Sequence, residues 1–386
     1  MAIIDPMDVI PFNSPYVTGK EISYINQVLL DKELAGGGAF TERCQEFLES
    51  KLDVKKVLLT HSCTAALEMA AMLLDIQPGD EIIMPSYTFV STANAFVIRG
   101  GVPVFVDIRK DTLNIDERLI EMAITPCTKA ILPVHYAGVA CEMDTIMDIA
   151  NRHNLLVVED AAQAIESNYK GRALGSIGDL GCLSFHETKN ITSGEGGAIL
   201  INNSNFIEQA EIIREKGTNR NRFLRGQVDK YSWVGVGSSY LPSEITAAFL
   251  YAQLEETEKI TQERIKIWNN YDYAFRSLGE TKELSLPNIP NQCKHNAHIY
   301  YLILHNSGDR NRFIKYMNKN NIDCYFHYVP LHLSVAGREY GNIPMSLNIT
   351  EHYADCIVRL PLWFGLSEKQ QEKVINAALE GISKGI

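Results

Sequence analysis

The chain has 386 residues, 46% of them hydrophobic, and a formal net charge of −11, enough apolar content to bury a large core and to build two units. The acidic balance argues against non-specific nucleic-acid binding, which needs a clustered positive surface to displace counterions. No apolar run approaches a membrane span, the residues around Asp5 and Asp8 lack the basic and apolar segments of a signal peptide, and eight scattered cysteines contain no C-x-x-C pair. A cytoplasmic protein with buried thiols, no disulfide framework and no metal centre is therefore expected.

In chain order, the run Gly36-Gly37-Gly38 before Phe40 comes first. It allows the backbone to approach a ligand closely, and it reads equally well as a flexible turn. Short β-branched runs then alternate with helical patterns to about residue 216, the signature of βαβ units and a mainly parallel sheet. Seven strands are expected, at 57–59, 81–84, 103–106, 130–134, 155–158, 182–185 and 198–201. Helices are expected at 64–74, 116–123, 142–154 and 205–216, the second capped by Asp116.

Several of these strands end in groups that carry chemistry. After strand 57–59, the segment His61-Ser62-Cys63-Thr64-Ala65-Ala66 turns into an Ala-rich helix. Thr64 and Ala65 fall in its first turn, where free N–H groups and the helix dipole favour a phosphate; a well-capped core helix is the competing reading. Pro85-Ser86-Tyr87-Thr88-Phe89-Val90-Ser91 follows strand 81–84, and one of its rings could stack on a ligand, although core packing is the commoner role. Strand 155–158 runs into Glu159-Asp160-Ala161-Ala162-Gln163, and carboxyl ends of parallel strands are where open α/β sheets place ligands. Strand 182–185 leads through Ser184-Phe185-His186-Glu187-Thr188 to Lys189, with Gly194, Gly196 and Gly197 turning the chain back.

Alone, Asp160 reads as a helix cap and Lys189 as a solvated loop residue. In this order and context the pair meets the needs of pyridoxal phosphate (PLP). The cofactor requires a carboxylate to keep its pyridine nitrogen protonated, and an amine that binds its aldehyde and then moves a proton between substrate carbon and cofactor. Ser184 can add a hydroxyl to the phosphate site.

Beyond residue 216, Lys216, Arg220, Arg222, Arg225 and Lys230 form a basic stretch that could hold a diphosphate or be a solvated loop. Residues 243–275 read as one long helical spine, and a second unit starts near Ser277 with strands at 298–304 and 322–326 and helices at 350–357 and 367–380. His327-Tyr328-Val329-Pro330-Leu331-His332 is a polar and aromatic cluster after a strand. His327, Tyr328 and His332 are candidate substrate contacts or parts of a packed turn, and two histidines at that spacing make a poor metal pair.

Across about residues 11–366, these motifs resemble the DegT/DnrJ/EryC1/StrS family of sugar aminotransferases. Members are PLP enzymes of fold type I that aminate keto sugars on nucleotide carriers. The resemblance implies an α/β protein with a large domain at 1–245, built on a mixed, mainly parallel seven-stranded sheet, and a linking helix and small α+β domain at 246–386. It implies Lys189 as the Schiff-base lysine, Asp160 as partner of the pyridine nitrogen, and Gln163 near the phenolic oxygen. Thr64, Ala65 and Ser184 would form the phosphate cradle, and Phe89 would stack on the ring. Much of the family has Gly-aromatic-Asn-x-Arg-Met, supplied by a second subunit; here the chain reads Gly237-Ser238-Ser239-Tyr240-Leu241-Pro242. Ser239 would take over that phosphate contact, as a shorter donor, in a homodimer with shared sites.

Segments 85–96, 135–144, 215–220 and 225–231 are similar to the branch of the family that makes a 4-amino-4,6-dideoxygalactose nucleotide sugar for enterobacterial common antigen. That implies transamination of dTDP-4-keto-6-deoxy-D-glucose by L-glutamate, giving dTDP-4-amino-4,6-dideoxy-D-galactose and 2-oxoglutarate. The gluco epimer and amination at C3 are alternatives. Dehydratases of the family carry His where this chain has Lys189, and a PLP or nucleotide-sugar sensor would need an output domain that no segment offers.

Overall fold

The computed structural model describes residues 9–280 and 284–384. Helices α1 (Glu21–Asp31) and α2 (Ala39–Leu52) lead into a seven-stranded sheet of β1 (Lys56–Thr60), β2 (Glu81–Pro85), β3 (Val102–Val106), β4 (Thr128–Ile131), β5 (Leu156–Asp160), β6 (Leu180–Ser184) and β7 (Gly197–Ile201). The order across the sheet is β1-β7-β6-β5-β4-β2-β3. Strands β2 to β6 pair in parallel, and β7 is antiparallel to both neighbours. The mixed, mainly parallel sheet expected from the alternating pattern is therefore present.

The reversal at β7 has a local cause. The link from β6 to β7 is a hairpin-like loop, 185–196, rather than a helical crossover, and a return without crossover must be antiparallel. Its main chain is closed by Phe185 N–H to Gly196 O at 2.8 Å and Glu187 N–H to Gly194 O at 2.8 Å. Lys189 therefore rides on a loop whose two ends are pinned to buried strands.

Helices α3 (Cys63–Leu73), α4 (Val90–Val97), α5 (Glu117–Ile120) and α6 (Met143–His153) fill the crossovers. The Asp116 cap holds, with the carboxylate accepting from Arg118 N–H. After β7 come α7 (Ile207–Arg214) and α8 (Arg220–Leu224). The single spine expected at 243–275 is two helices, α9 (Glu244–Leu254) and α10 (Thr257–Glu280). They part at Glu255–Glu256, where the Thr257 hydroxyl donates to Leu254 O at 3.0 Å.

The C-terminal region adds β8 (Tyr300–Ile303) antiparallel to β9 (Ile357–Leu360), with α11 (Ser307–Lys319), α12 (Val335–Tyr340), α13 (Asn348–Cys356) and α14 (Glu368–Ser383). Tyr271, Phe275, Tyr300, Phe313, Val358 and Val374 belong to an apolar cluster separate from those around the large sheet. The strand expected at 322–326 makes only the isolated bridges Ile10–Ile322 and Tyr325–Arg359. Its neighbours are single residues on two different segments, so no ladder can propagate.

Two further expectations change. The three-glycine run approaches protein, not ligand: a Cβ on Gly36 would stand 2.0 Å from Pro242 O. There the buried Glu244 carboxylate accepts from the amides of Gly38 (3.0 Å) and Phe40 (2.8 Å) and so closes the start of α2. All eight cysteines are free thiols, but Cys127 is exposed and Cys63 and Cys293 are only half-buried. Among the described residues no helix is long and apolar enough to cross a membrane, and no cluster of side chains suits a metal ion.

Candidate active site

A cavity of about 780 Å³ opens at the carboxyl ends of the parallel strands. Segments following β1 (Ser62 to Thr64), β2 (Thr88 to Thr92), β4 (Val134), β5 (Asp160 to Gln163) and β6 (Ser184) line one wall. The opposite wall comes from the C-terminal region, with Arg264, His298, Tyr325 to Tyr328 and Arg359.

The sheet wall is built by the backbone. Ser62 caps α3, its Oγ accepting from Ala65 N–H at 3.1 Å. The amides of Cys63 and Thr64, at the first two helical positions, have no acceptor within the helix and sit at its positive end. The Thr64 hydroxyl meets that of Ser91 at 2.8 Å. Where an anion site was expected at Thr64 and Ala65, the cavity is lined by Cys63, Thr64 and Ser91, while the Ala65 amide is taken by the cap and Ala65 does not line the cavity. Gly197 fixes the approach: a Cβ there would stand 2.4 Å from Cys63 N, so only glycine lets β7 run beneath this turn.

Asp160 is 5% exposed at the end of β5. The Thr92 hydroxyl donates to its Oδ2 at 2.8 Å and Ala162 N–H to its Oδ1 at 3.1 Å. Burial pushes its carboxyl up; the hydroxyl, the amide and the charges of Lys189 and His135 oppose that shift. Glu159, its neighbour, points the other way, accepting from His135 at 2.8 Å and from the amides of Gly175, Ile177 and Gly178. It holds the loop beneath the strand and leaves Asp160 to the cavity.

Lys189 lines the same cavity as Asp160. It is half-buried. Desolvation lowers its pKa, with Arg359 adding to the effect and the Cys63 and Asp160 groups opposing it. A lysine shifted in this direction is a better nucleophile at neutral pH. The next residue anchors it: the Asn190 amide donates to Asn296 O at 2.8 Å, and its Oδ1 meets His298 Nδ1 at 2.9 Å. Burial and nearby cations hold His298 well below the ordinary histidine range, so Nδ1 is the protonated nitrogen that donates to Asn190.

Gln163 is buried with its amide oriented from both sides. Its Oε1 accepts from Ala137 N–H at 2.7 Å and its Nε2 donates to the Tyr328 hydroxyl at 2.8 Å. His327 stacks on Tyr328 at 3.7 Å and its Nδ1 lies 2.6 Å from the Tyr136 hydroxyl. Burial, with nearby cations, holds His327 well below the ordinary histidine range. Phe89 lines the cavity 56% exposed, its ring 6.2 Å from that of Tyr328.

The structure brings Lys189, Asp160, Gln163, Ser184, Thr64, Phe89, His327 and Tyr328 to one cavity. Two candidates lie elsewhere. His332 is buried between Ser86 Oγ (2.7 Å) and Glu351 (3.1 Å), both ring nitrogens engaged, away from the cavity. Ser239 is exposed, bridged through its backbone to Glu215, and does not line the cavity of its own chain. Nor is the basic stretch a free cationic cluster: Lys216 and Arg220 pair with Glu215, Arg222 with Glu208 and Arg225 with Glu211. Sequence reasoning missed Ser91, Thr92, His298 and Arg359. Ser91 closed the aromatic segment 85–91 and Thr92 followed it directly; the other two had no local signal.

The donor set fits PLP. A buried carboxylate, an amine of lowered pKa, two free helix amides with hydroxyls beside them, and an exposed ring lie around one cavity, matching a pyridine nitrogen, an aldehyde, a phosphate and an aromatic face.

Comparison with known proteins agrees. The model of the DegT/DnrJ/EryC1/StrS aminotransferase family matches residues 15–379. GDP-perosamine synthase of Caulobacter vibrioides is 32% identical over 94% of this chain and 96% of its own length. Among solved structures, the putative sugar aminotransferase Spr1654 from Streptococcus pneumoniae in its PLP form superposes with a TM-score of 0.90 at 26% identity, covering 98% of this chain and 100% of that one. DesV of S. venezuelae gives 0.87 at 28% identity, covering 97% and 98%. The chain belongs to the DegT/DnrJ/EryC1/StrS aminotransferase family and is a PLP-dependent sugar aminotransferase.

Proposed function

We propose that the chain aminates C4 of dTDP-4-keto-6-deoxy-D-glucose with L-glutamate as donor, giving dTDP-4-amino-4,6-dideoxy-D-galactose and 2-oxoglutarate. The observation that carries the chemistry is the meeting of Lys189, Asp160 and the free amides of α3 around one cavity. The choice of sugar rests on the similarity of segments 85–96, 135–144, 215–220 and 225–231 to the corresponding branch of the family.

Bound PLP supplies the electron sink for charge developing at the substrate carbon. Asp160, held by Thr92 and Ala162, keeps an anion against the pyridine nitrogen. The amides of Cys63 and Thr64 with the hydroxyls of Thr64, Ser91 and Ser184 would hold the phosphate, and Phe89 would cover the ring. Lys189 Nζ takes the proton from the donor α-carbon and later returns a proton to C4 of the sugar, and the face of delivery sets the product epimer. Gln163 and Tyr328, locked to each other, orient groups beside the ring. The exposure of Ser239 suits a contribution to the site of a second copy in a cytoplasmic homodimer, each subunit comprising units 1–245 and 246–386.

The test is to incubate the PLP-loaded protein with dTDP-4-keto-6-deoxy-D-glucose and L-glutamate and examine the sugar by NMR. A small H4 coupling marks the axial amine and supports the galacto assignment. A large one gives the gluco epimer, and an unchanged sugar refutes the substrate.

A further inference from the structure

The charged groups on the wall opposite the sheet are donors. Arg264 on α10 gives Nε to Ala297 O (3.2 Å) and Nη2 to His298 O (2.7 Å). Arg359 on β9 gives Nε (3.3 Å) and Nη2 (2.9 Å) to Phe326 O, and its guanidinium lies over the Phe12 ring at 4.7 Å. His298, just before β8, is different. It is 8% exposed and lines the same cavity. Asn190 donates its side-chain nitrogen to Asn296 O at 2.8 Å, so the oxygen of that amide is what faces His298 Nδ1 at 2.9 Å, and Nδ1 carries the proton. Burial and nearby cations hold the imidazole below the ordinary histidine range, which leaves Nε2 as a bare lone pair. Among the described residues Nε2 has no hydrogen-bond partner, and it is not sealed from the cavity. An acceptor oriented by two neighbours and left unpaired at a cavity wall is one held ready for a ligand.

We propose that His298 Nε2 reads the sugar, by accepting a hydrogen bond from the hydroxyl on the carbon next to the one that is aminated. This rests on the sugar-amination reading above. Two substrates use the cavity in turn. An amino acid brings carboxylates, which a bare lone pair repels, and an amine that is already engaged in the reaction. The keto sugar brings hydroxyls, which are donors. The position of the imidazole says which hydroxyl. Its ring is held by Asn190, the chain neighbour of Lys189, and Lys189 is close enough to act on it electrostatically. Since Lys189 must reach the reacting carbon, an acceptor tied to its loop meets a substituent one bond from that carbon. In dTDP-4-keto-6-deoxy-D-glucose, C4 lies between C3, which carries a hydroxyl, and C5, which carries a methyl group. The match is therefore the C3 hydroxyl. Arg264 fixes the backbone of His298 and Asn190 fixes its ring, so little is left to order when the sugar arrives. A sugar without that hydroxyl would leave Nε2 unpaired in a filled site, which is how a site built for a hydroxyl rejects its deoxy analogue.

The experiment compares dTDP-4-keto-6-deoxy-D-glucose with its 3-deoxy analogue in the parent, His298→Asn and His298→Gln, following the visible spectrum of the pyridoxamine-loaded protein. Asn can keep the link to Asn190 but is too short to place an acceptor in the cavity, whereas Gln reaches the place of Nε2. The parent is expected to favour the hydroxylated sugar about 30-fold or more in kcat/KM, and His298→Asn to reduce that preference to about 3-fold by losing the hydroxylated sugar alone, with His298→Gln between them. The half-reaction of the PLP-loaded variants with L-glutamate reports on the lysine loop, because a merely structural role would damage both sugars and the donor alike. A parent that does not distinguish the two sugars, a preference that survives in His298→Asn, or equal losses for both sugars and the donor each overturn the assignment. The comparison within the parent needs no variant to fold. Binding of the unreactive dTDP-6-deoxy-D-glucose and its 3-deoxy form is measured by calorimetry. If the parent turns over neither keto sugar, the substrate reading fails instead, and this pair still decides whether Nε2 holds the hydroxyl: tighter binding of the hydroxylated form that is lost in His298→Asn supports it, and equal affinities overturn it.

Discussion

The two walls of the cavity are made differently. On the sheet side the functional groups are strand-end side chains and helix amides, placed by parallel pairing and by the Ser62 cap. On the other side they are long side chains from α10, the 325–328 segment and β9, oriented by carbonyls and by one another. The first wall can vary little without losing the fold, which suits the step shared by many substrates. The second can exchange side chains one at a time, which suits the choice of donor and sugar.

That contrast predicts graded losses. Lys189→Ala will abolish the visible band of the bound cofactor and lower turnover by about 10⁴-fold, since no other amine takes its place; transamination persisting in that variant breaks the scheme. Asp160→Asn will cost about 10² to 10³-fold in turnover, the scale of one preorganised electrostatic contact. It also sharpens the comparison through pH. Cofactor uptake needs the free amine, and burial lowers the Lys189 pKa, so uptake will rise with pH through an inflection below the ordinary lysine value of 10.5. Asp160 opposes that lowering, so the Asn variant moves the inflection to still lower pH; a shift upward contradicts the electrostatic account.

On the second wall, Tyr328→Phe removes the hydroxyl that accepts from Gln163 and should slow sugar amination about 10-fold while leaving PLP affinity nearly unchanged. Equal damage to cofactor binding would show that the walls are not independent. Far from both, Asp116→Ala deletes the α5 cap and should lower stability by about 1 kcal/mol, read as a reduced Tm, with no loss of turnover.

The same contrast explains what could be read from the residues alone. Asp160 was legible because it ends the apolar run Leu155 to Val158, Lys189 because it stands between a second short strand and the Gly194, Gly196 and Gly197 turn, and the phosphate turn because an Ala-rich helix begins right after a strand. Arg359 was not, since nothing in its own segment says that Phe326 O and Phe12 lie around it. The basic stretch misled for the converse reason: in the fold Glu208, Glu211 and Glu215, on and just after the preceding helix, pair with Lys216, Arg220, Arg222 and Arg225. At Ala65 the Ser62 cap competes for the first-turn amides that a phosphate would use.

The position of β1 has a consequence for how the protein is made. This edge strand pairs only with β7, Lys56 opposite Ile201 and Thr60 opposite Gly197. During synthesis it waits without a neighbour until nearly the whole sheet has emerged, and the phosphate turn that follows it waits too. Vitamin capture is therefore a late event in the life of the nascent chain, and a ribosome halted before codon 197 carries a half-built barrier-free edge open to mispairing.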